Sequence, residues 1–168
     1  LLKAAIRSDD PVLFIANATI YQQRGEVPDG DYTVPIGKSK VQRAGKHVTL
    51  VTYSKMVQPS LQAAELLAKE NIEVEVVDLR SLRPLDMHPV IESFKKTNRA
   101  VIVEEGWESF GVGAEVAARI YQDAFDYVDA PIRRVAQKEV PLPYNRRLEQ
   151  LALPQMDDIV RAVREVMK

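Results

Sequence analysis

The sequence predicts a three-layer α/β fold, a mainly parallel sheet with helices on both faces. Two observations carry that prediction. From residue 47 onward, short β-type runs alternate with stretches of helical pattern: HVTLVTY, EVEVVDL, AVIVEE and IRRVA fall at 47–53, 73–79, 100–105 and 132–136. The stretches between them reach ten residues or more, the length a crossover between parallel strands requires, and strands connected in that way lie in sheets covered on both sides.

Each element follows from local pattern. The opening LLKAAIRSDD places Leu2, Ala5 and Ile6 on one helical side, and Asp9-Asp10-Pro11 stops it. PVLFIA at 11–16 then reads as a buried strand. Between residues 21 and 45 the pattern fails, with Gly25, Pro28, Gly30, Pro35, Gly37 and Gly45 among polar residues, so a long connector and a domain boundary are expected there. In 54–70, Leu61, Ala64, Leu67 and Ala68 repeat at helical spacing, with Pro59 tolerable only in the first turn. HPVIESFKKT gives a shorter helix, and in 111–125 Val112, Val116, Ala117 and Ile120 share a face. From Pro154, Ile159, Val163 and Val166 form one stripe, with Asp157 and Asp158 early and Arg161, Arg164 and Lys168 late, an order that suits the helix dipole.

Composition narrows the chemistry. The 168 residues are 46% hydrophobic and 28% charged, with 23 Lys and Arg against 24 Asp and Glu, which calls for neither a nucleic acid nor an anionic membrane as partner. The absence of cysteine removes disulfides, thiolate nucleophiles, thiolate zinc sites and iron–sulfur ligation. His47 and His88 lie far apart in dissimilar contexts, which argues against a histidine-rich metal site and leaves carboxylate-bound magnesium or calcium open. No apolar run approaches the roughly 20 residues of a membrane-spanning helix. The start has neither a signal-peptide core nor an initiator Met, so the chain is expected to begin inside a longer polypeptide.

Ligands of open parallel sheets bind beyond the carboxyl ends of the strands, so the segments after the strands are the candidates. In DLRSLRPLD at 78–86, Arg80 and Arg83 are able to clamp a phosphate or carboxylate, or else Asp78 and Asp86 neutralise them locally or across a subunit boundary. In EEGW, Glu104 and Glu105 could divide acid and base roles, but neighbours on a strand point to opposite faces. Gly106, Gly111 and Gly113 enter a helix, yet their spacing fits neither the dinucleotide fingerprint nor the P-loop, and close backbone packing is the simpler use. Ser54, Ser81 and Ser109 lack a nucleophile-elbow context, and His88 before a proline reads as a helix start.

Four ordered segments, PIGKSKVQRAGKHVTLVTYSKMV, VEVVDLRSLRPLDM, KKTNRAVIVEEGWESFGVGAEVAARI and DAPIRRVAQKEVPLPYNRRLEQLALPQ, together resemble the beta subunits of the pyruvate dehydrogenase decarboxylating component. The resemblance implies a transketolase-like C-terminal domain at 46–168, a linker at 21–45, and at 1–20 the tail of a pyrimidine-binding domain. It also implies a thiamine-diphosphate-dependent 2-oxo acid dehydrogenase, releasing carbon dioxide from pyruvate and passing the acetyl group to a lipoyl group. Branched-chain and acetoin dehydrogenase beta subunits are similar alternatives, and a free-standing binding module or a flavodoxin-like nucleotide binder stands outside the resemblance.

In that family the catalytic glutamate and histidine lie in the part that precedes Leu1, and an alpha subunit holds the diphosphate through magnesium. No catalytic, cofactor-binding or metal-ligating residue is therefore expected here. The implied role is assembly with an alpha and a second beta subunit in a heterotetramer, and docking of the dihydrolipoyl acyltransferase. Trp107, Phe110 and Tyr144, in glycine- and proline-rich loops, are the candidate interface anchors beside Arg80 and Arg83, the alternative for each aromatic being a place in the core. One departure stands out: Ala16-Asn17 replaces the acidic residue usual after the first strand, which loosens the match over 17–25. Bacterial cytoplasm, mitochondrial matrix and plastid stroma all fit the resemblance.

Overall fold

A computed structural model describes residues 1–168. Its centre is a five-stranded sheet with the order β1-β3-β2-β4-β5, where β1 is Lys40–Arg43, β2 Val48–Thr52, β3 Val74–Asp78, β4 Ala100–Trp107 and β5 Arg133–Gln137. β2 pairs in parallel with β3 and β4, β4 with β5, and only β1 runs antiparallel, against β3. The predicted three-layer α/β architecture is the observed one.

Helices α2 (Val57–Ala68) and α6 (Met156–Val166) cover one face, and α3 (His88–Thr97) and α4 (Val112–Ala124) the other. The period of two in the strands sorts the side chains between two cores. Val48, Leu50, Val74, Val76, Val101 and Val103 meet Leu67, Ile159 and Val163 on the first face. Val51, Val77, Ala100 and Ile102 meet Val90, Phe94, Val116 and Ile120 on the second. Pro59 stands in the first turn of α2, and α3 ends on Asn98 in the left-handed region, its N–H bonded back to the Phe94 carbonyl. A capping box opens α6: Gln155 N–H donates to Asp158 at 3.0 Å, and the Gln155 side chain accepts from the third residue of the helix.

Three segments differ from expectation. Pro11–Ala16 is not a buried strand: it joins no ladder, and Val12, Leu13, Phe14 and Ile15 are exposed. Its apolar run has strand composition, but a strand exists only beside a neighbour that takes its N–H and C=O groups, and none lies there. Within the connector, Lys40–Arg43 forms the antiparallel edge strand; KVQR is polar because an edge strand faces solvent. A short helix, α5 (Arg146–Ala152), follows Asn145, whose side chain accepts from the N–H groups of Arg147 and Leu148. Near the start, helix α1 is confined to Leu2–Ile6. No helix is long and apolar enough to cross a membrane.

One buried charge ties the amino ends of the strands together. Glu75 on β3 is 4% exposed, accepts from Gly45 N–H at 3.1 Å and is paired with Lys96 of α3. Burial works against its ionisation, but the hydrogen bonds from Lys96, Gly45 and Ser93 and the Lys96 charge outweigh it and hold the carboxyl below its ordinary range. A depressed folded-state pKa gives stability that is complete above the unfolded carboxylate range, about pH 4 to 5, and is lost as pH falls through the lowered value. Glu75→Gln is therefore expected to flatten the acid limb of a plot of denaturation midpoint against pH. An unchanged acid limb would remove Glu75 from the account.

Candidate functional site at the carboxyl end of the sheet

Connections from β2 lead to β3 on one side and, through β3 and α3, to β4 on the other, so the strand order reverses between β2 and β4. That reversal opens a crevice at the carboxyl ends of the two strands, the place where open α/β sheets take ligands. Here it holds a cavity of about 220 Å³ lined by Ile15, Ala16, Asn17, Tyr53, Ser54, Lys55, Glu105 and Gly106.

The two glutamates at the end of β4 diverge, as strand geometry requires. Glu104 turns to the α4 side and is 1% exposed. Both of its carboxylate oxygens accept from Gly113 N–H at 3.0 Å, and Tyr53 OH donates to it at 3.3 Å. Glu105 turns the other way, accepting from Lys55 Nζ at 2.7 Å and Asn17 Nδ2 at 3.1 Å. The two carboxylates meet separate partners and do not converge on one atom. Burial first, then the Glu104 charge and hydrogen bond, then Glu105, push the Tyr53 phenol well above its ordinary range, so its hydroxyl keeps its proton and serves as a donor.

Two of the three glycines in the turn owe their place to Glu104, and Gly111 owes it also to the Trp107 carbonyl, 2.5 Å from where its Cβ would stand. A Cβ on Gly111 would stand 2.7 and 2.9 Å from the two Glu104 oxygens, and one on Gly113 would strike the same carboxylate. The N-terminus of α4 does bind an anion, and the anion is the chain's own side chain. Gly106 has open space around it. The intervening loop is fastened at its base: Arg134 donates to the Glu108 carbonyl at 2.7 Å and to its carboxylate at 3.3 Å, and Ser109 N–H donates to Glu139 at 3.0 Å. The Ser109 hydroxyl and N–H hold the Glu139 carboxyl below its usual range.

That loop presents Trp107, half exposed, and Phe110, fully exposed with a left-handed φ of 59°. Tyr144 is fully exposed on the segment leading to α5. None of the three belongs to either core. In the 78–86 segment, Arg80 Nε lies 3.9 Å from Asp78 and its N–H donates to the same side chain at 3.1 Å. Asp86 ignores both arginines, its oxygens accepting from the N–H groups of Ser39 and His88, which leaves Arg83 exposed and without a carboxylate partner. Tyr53 and Lys55 are the site residues that sequence reasoning passed over, and Asn17 stood out there only as a departure from the family pattern. The signal available was position: Tyr53-Ser54-Lys55 follows the first strand of the alternating series, at the end of the sheet where ligands bind.

Comparison with known proteins agrees with this fold. A solved split-gene transketolase, an inactive β4 tetramer, superposes with a TM-score of 0.70 at 29% identity, covering 85% of this chain and 45% of that one. The chain is 49% identical over 168 residues to a mitochondrial pyruvate dehydrogenase E1 component subunit beta from Oryza sativa subsp. japonica, covering 98% of this chain and 45% of that protein. It is 51% identical to a mitochondrial counterpart from Arabidopsis thaliana, over 96% of this chain and 46% of that protein. Against the Rickettsia felis subunit beta the figures are 49% identity, 99% and 51%. The chain thus spans about half the length of the curated relatives it matches. The model of the transketolase C-terminal domain matches residues 37–159, and the chain belongs to that family.

Proposed function

We propose that this chain works as the carboxyl-terminal part of the beta subunit of a thiamine-diphosphate-dependent 2-oxo acid dehydrogenase, in the oxidative decarboxylation of pyruvate with acetyl transfer to lipoyl groups. The observation that carries the proposal is identity of about one half, along nearly the whole chain, to subunits named for that enzyme in plants and bacteria. Relatives of both origins fit a mitochondrial matrix or a bacterial cytoplasm. On this reading, residues 1–20 end a pyrimidine-binding domain, 21–45 link, and 46–168 form the assembly domain.

On this reading thiamine diphosphate and magnesium are held by other parts of the assembly, and the N-terminus of α4, which would otherwise receive an anion, is filled by Glu104. What this chain offers is surface: rigid aromatic anchors in Trp107, Phe110 and Tyr144, and a free guanidinium in Arg83 for an anionic group of a partner. The partners are the alpha subunit, a second beta subunit and the acyltransferase docking domain.

The purified chain is expected to release no carbon dioxide from pyruvate with thiamine diphosphate and magnesium. Joined to the N-terminal half of the Rickettsia felis subunit and co-expressed with that enzyme's alpha subunit, it should restore lipoyl acetylation. Turnover by the chain alone would overturn the division of roles, and a folded but inactive chimaera would count against the enzyme.

A further inference from the structure

After β3 the chain turns through Arg80 with a φ of 57°, in the left-handed region, and Ser81 N–H donates back to the Leu79 carbonyl. A three-residue turn with a positive central φ is rare and strained, and glycine is the residue that takes it at least cost. The neighbours hold Arg80 there from both sides. Leu79 is buried and its N–H donates to the Thr52 carbonyl at 2.9 Å, while Ser81 Oγ accepts from Gly37 N–H at 3.0 Å. Strain of that sort persists only where the surroundings enforce it, and it gathers at sites that work.

The side chain gains little locally in return. It is 21% exposed, its guanidinium makes no hydrogen bond, and the nearest carboxylate, Asp78, lies 3.9 Å from Nε. Asp78 is itself engaged by Gln42 Nε2 at 3.0 Å and by the Arg80 N–H at 3.1 Å. All of these contacts lie within residues 37–86, so the shielding and the strain are set by the sheet domain itself. Further cations stand around them. Lys40 is the ladder partner of Asp78, and Ser39 Oγ donates to the Leu79 and Asp86 carbonyls, which brings Lys38, Lys40 and Arg83 alongside. These three are exposed and have no carboxylate partner. Four cations against Asp78 and Asp86 leave two positive charges.

We propose that Arg80, ringed by Lys38, Lys40 and Arg83, is the centre of a binding site for a small phosphate ester at the carboxyl end of β3. The site goes beyond the function proposed above and does not depend on it. A phosphate monoester carries about −1.5 to −2 charges near neutral pH, and a planar guanidinium meets two of its oxygens at once. A carboxylate would neutralise only half of the excess. The turn then has a use: it fixes the guanidinium before the ion arrives, so less side-chain freedom is lost on binding.

Thermal denaturation of the purified chain near neutral pH tests the site, with inorganic phosphate as the probe and chloride at matched ionic strength as the reference. The midpoint is expected to rise by roughly 3 °C once phosphate reaches about ten times its dissociation constant. Acetate should leave it unchanged. Arg80→Gly should abolish the shift and yet raise the midpoint without phosphate, because the turn relaxes. Arg80→Lys keeps the charge without the fork and should retain a smaller shift. The chain joined to the Rickettsia felis N-terminal half should respond as the chain alone does. A parent midpoint indifferent to phosphate would overturn the site, as would an equal shift with acetate or in Arg80→Gly, or loss of the shift on joining. If Arg80→Gly lowers the midpoint instead, Arg80 serves the Asp78 ion pair and the inference fails.

Discussion

Replacing Gly45 with alanine is expected to destabilise the domain by about 3 kcal/mol, at the upper end of what overpacking costs. At Gly45 the chain leaves β1 and crosses over the start of β3, so close that a Cβ would stand 2.7 Å from the Glu73 carbonyl oxygen and nearer still to backbone atoms of Val74 and Glu75. A side chain can turn away from such a contact, whereas a strand in the middle of a ladder cannot. The shift would also disturb Lys46 and His47, whose N–H groups both donate to the Glu73 carbonyl at 3.0 Å, and the Gly45 bond to Glu75. Gly106→Ala is the control, with nothing within 4 Å of its Cβ. Urea denaturation should show a large loss of midpoint for the first variant and little change for the second. Equal midpoints would mean that the crossing leaves room for a methyl group.

Glu104→Ala should cost a comparable amount, also about 3 kcal/mol, because it strips the cap from α4 and leaves the Gly113 N–H buried without an acceptor. Glu104→Gln keeps the volume and an acceptor oxygen, and its loss is expected to be smaller. The partner gives a second readout. With the carboxylate gone, alkaline titration of Tyr53 should move down toward the ordinary phenol range but not reach it, since burial is the larger cause of its elevation. If the Tyr53 titration stays where it is in the alanine variant, the hydroxyl is not held by Glu104. Loss of the cap also frees the loop that carries Trp107 and Phe110, and on the proposed reading weaker association with partner subunits should accompany the loss of stability.

The alternating part of the fold is legible because β2, β3 and the first five residues of β4 are buried on both faces and each helix on one, which writes Val, Ile and Leu into the sequence at the period of the element. β3 and α3 follow that pattern, α3 over the predicted 88–97. Pro11–Ala16 carries the same composition without a neighbour, and composition alone says nothing of who stands alongside. β1 fails in the opposite sense: KVQR is a strand because β3 is beside it, a fact of tertiary structure that one valine among three polar residues does not announce. The site is legible to a similar depth. Divergence of Glu104 and Glu105 follows from strand geometry, and close packing at Gly111 and Gly113 from their failure to match a phosphate-binding spacing. That Glu104 is the anion at the helix end is a contact only nine positions apart but across a turn, whereas Lys55 and Asn17 meet on Glu105 from some fifty and ninety positions away. No local pattern holds such information.

The place of α6 has a bearing on how the chain is made. Ile159, Val160, Val163 and Val166 close the core on the α2 face, against strands completed much earlier. α2 already covers Val74 and Val76, whereas α6 lies against β4 and β5, and roughly 50 residues separate the end of β4 from the start of α6. At ribosomal speeds of about 5–20 residues per second, that face of Val101 and Val103 waits on the order of 2 to 10 seconds for α6 in every nascent chain. The opposite face is sealed sooner, by α3 and α4. Emerging copies are thus one-sided, apolar on a single flank until the last helix arrives, and it is on that flank that a chaperone would find them.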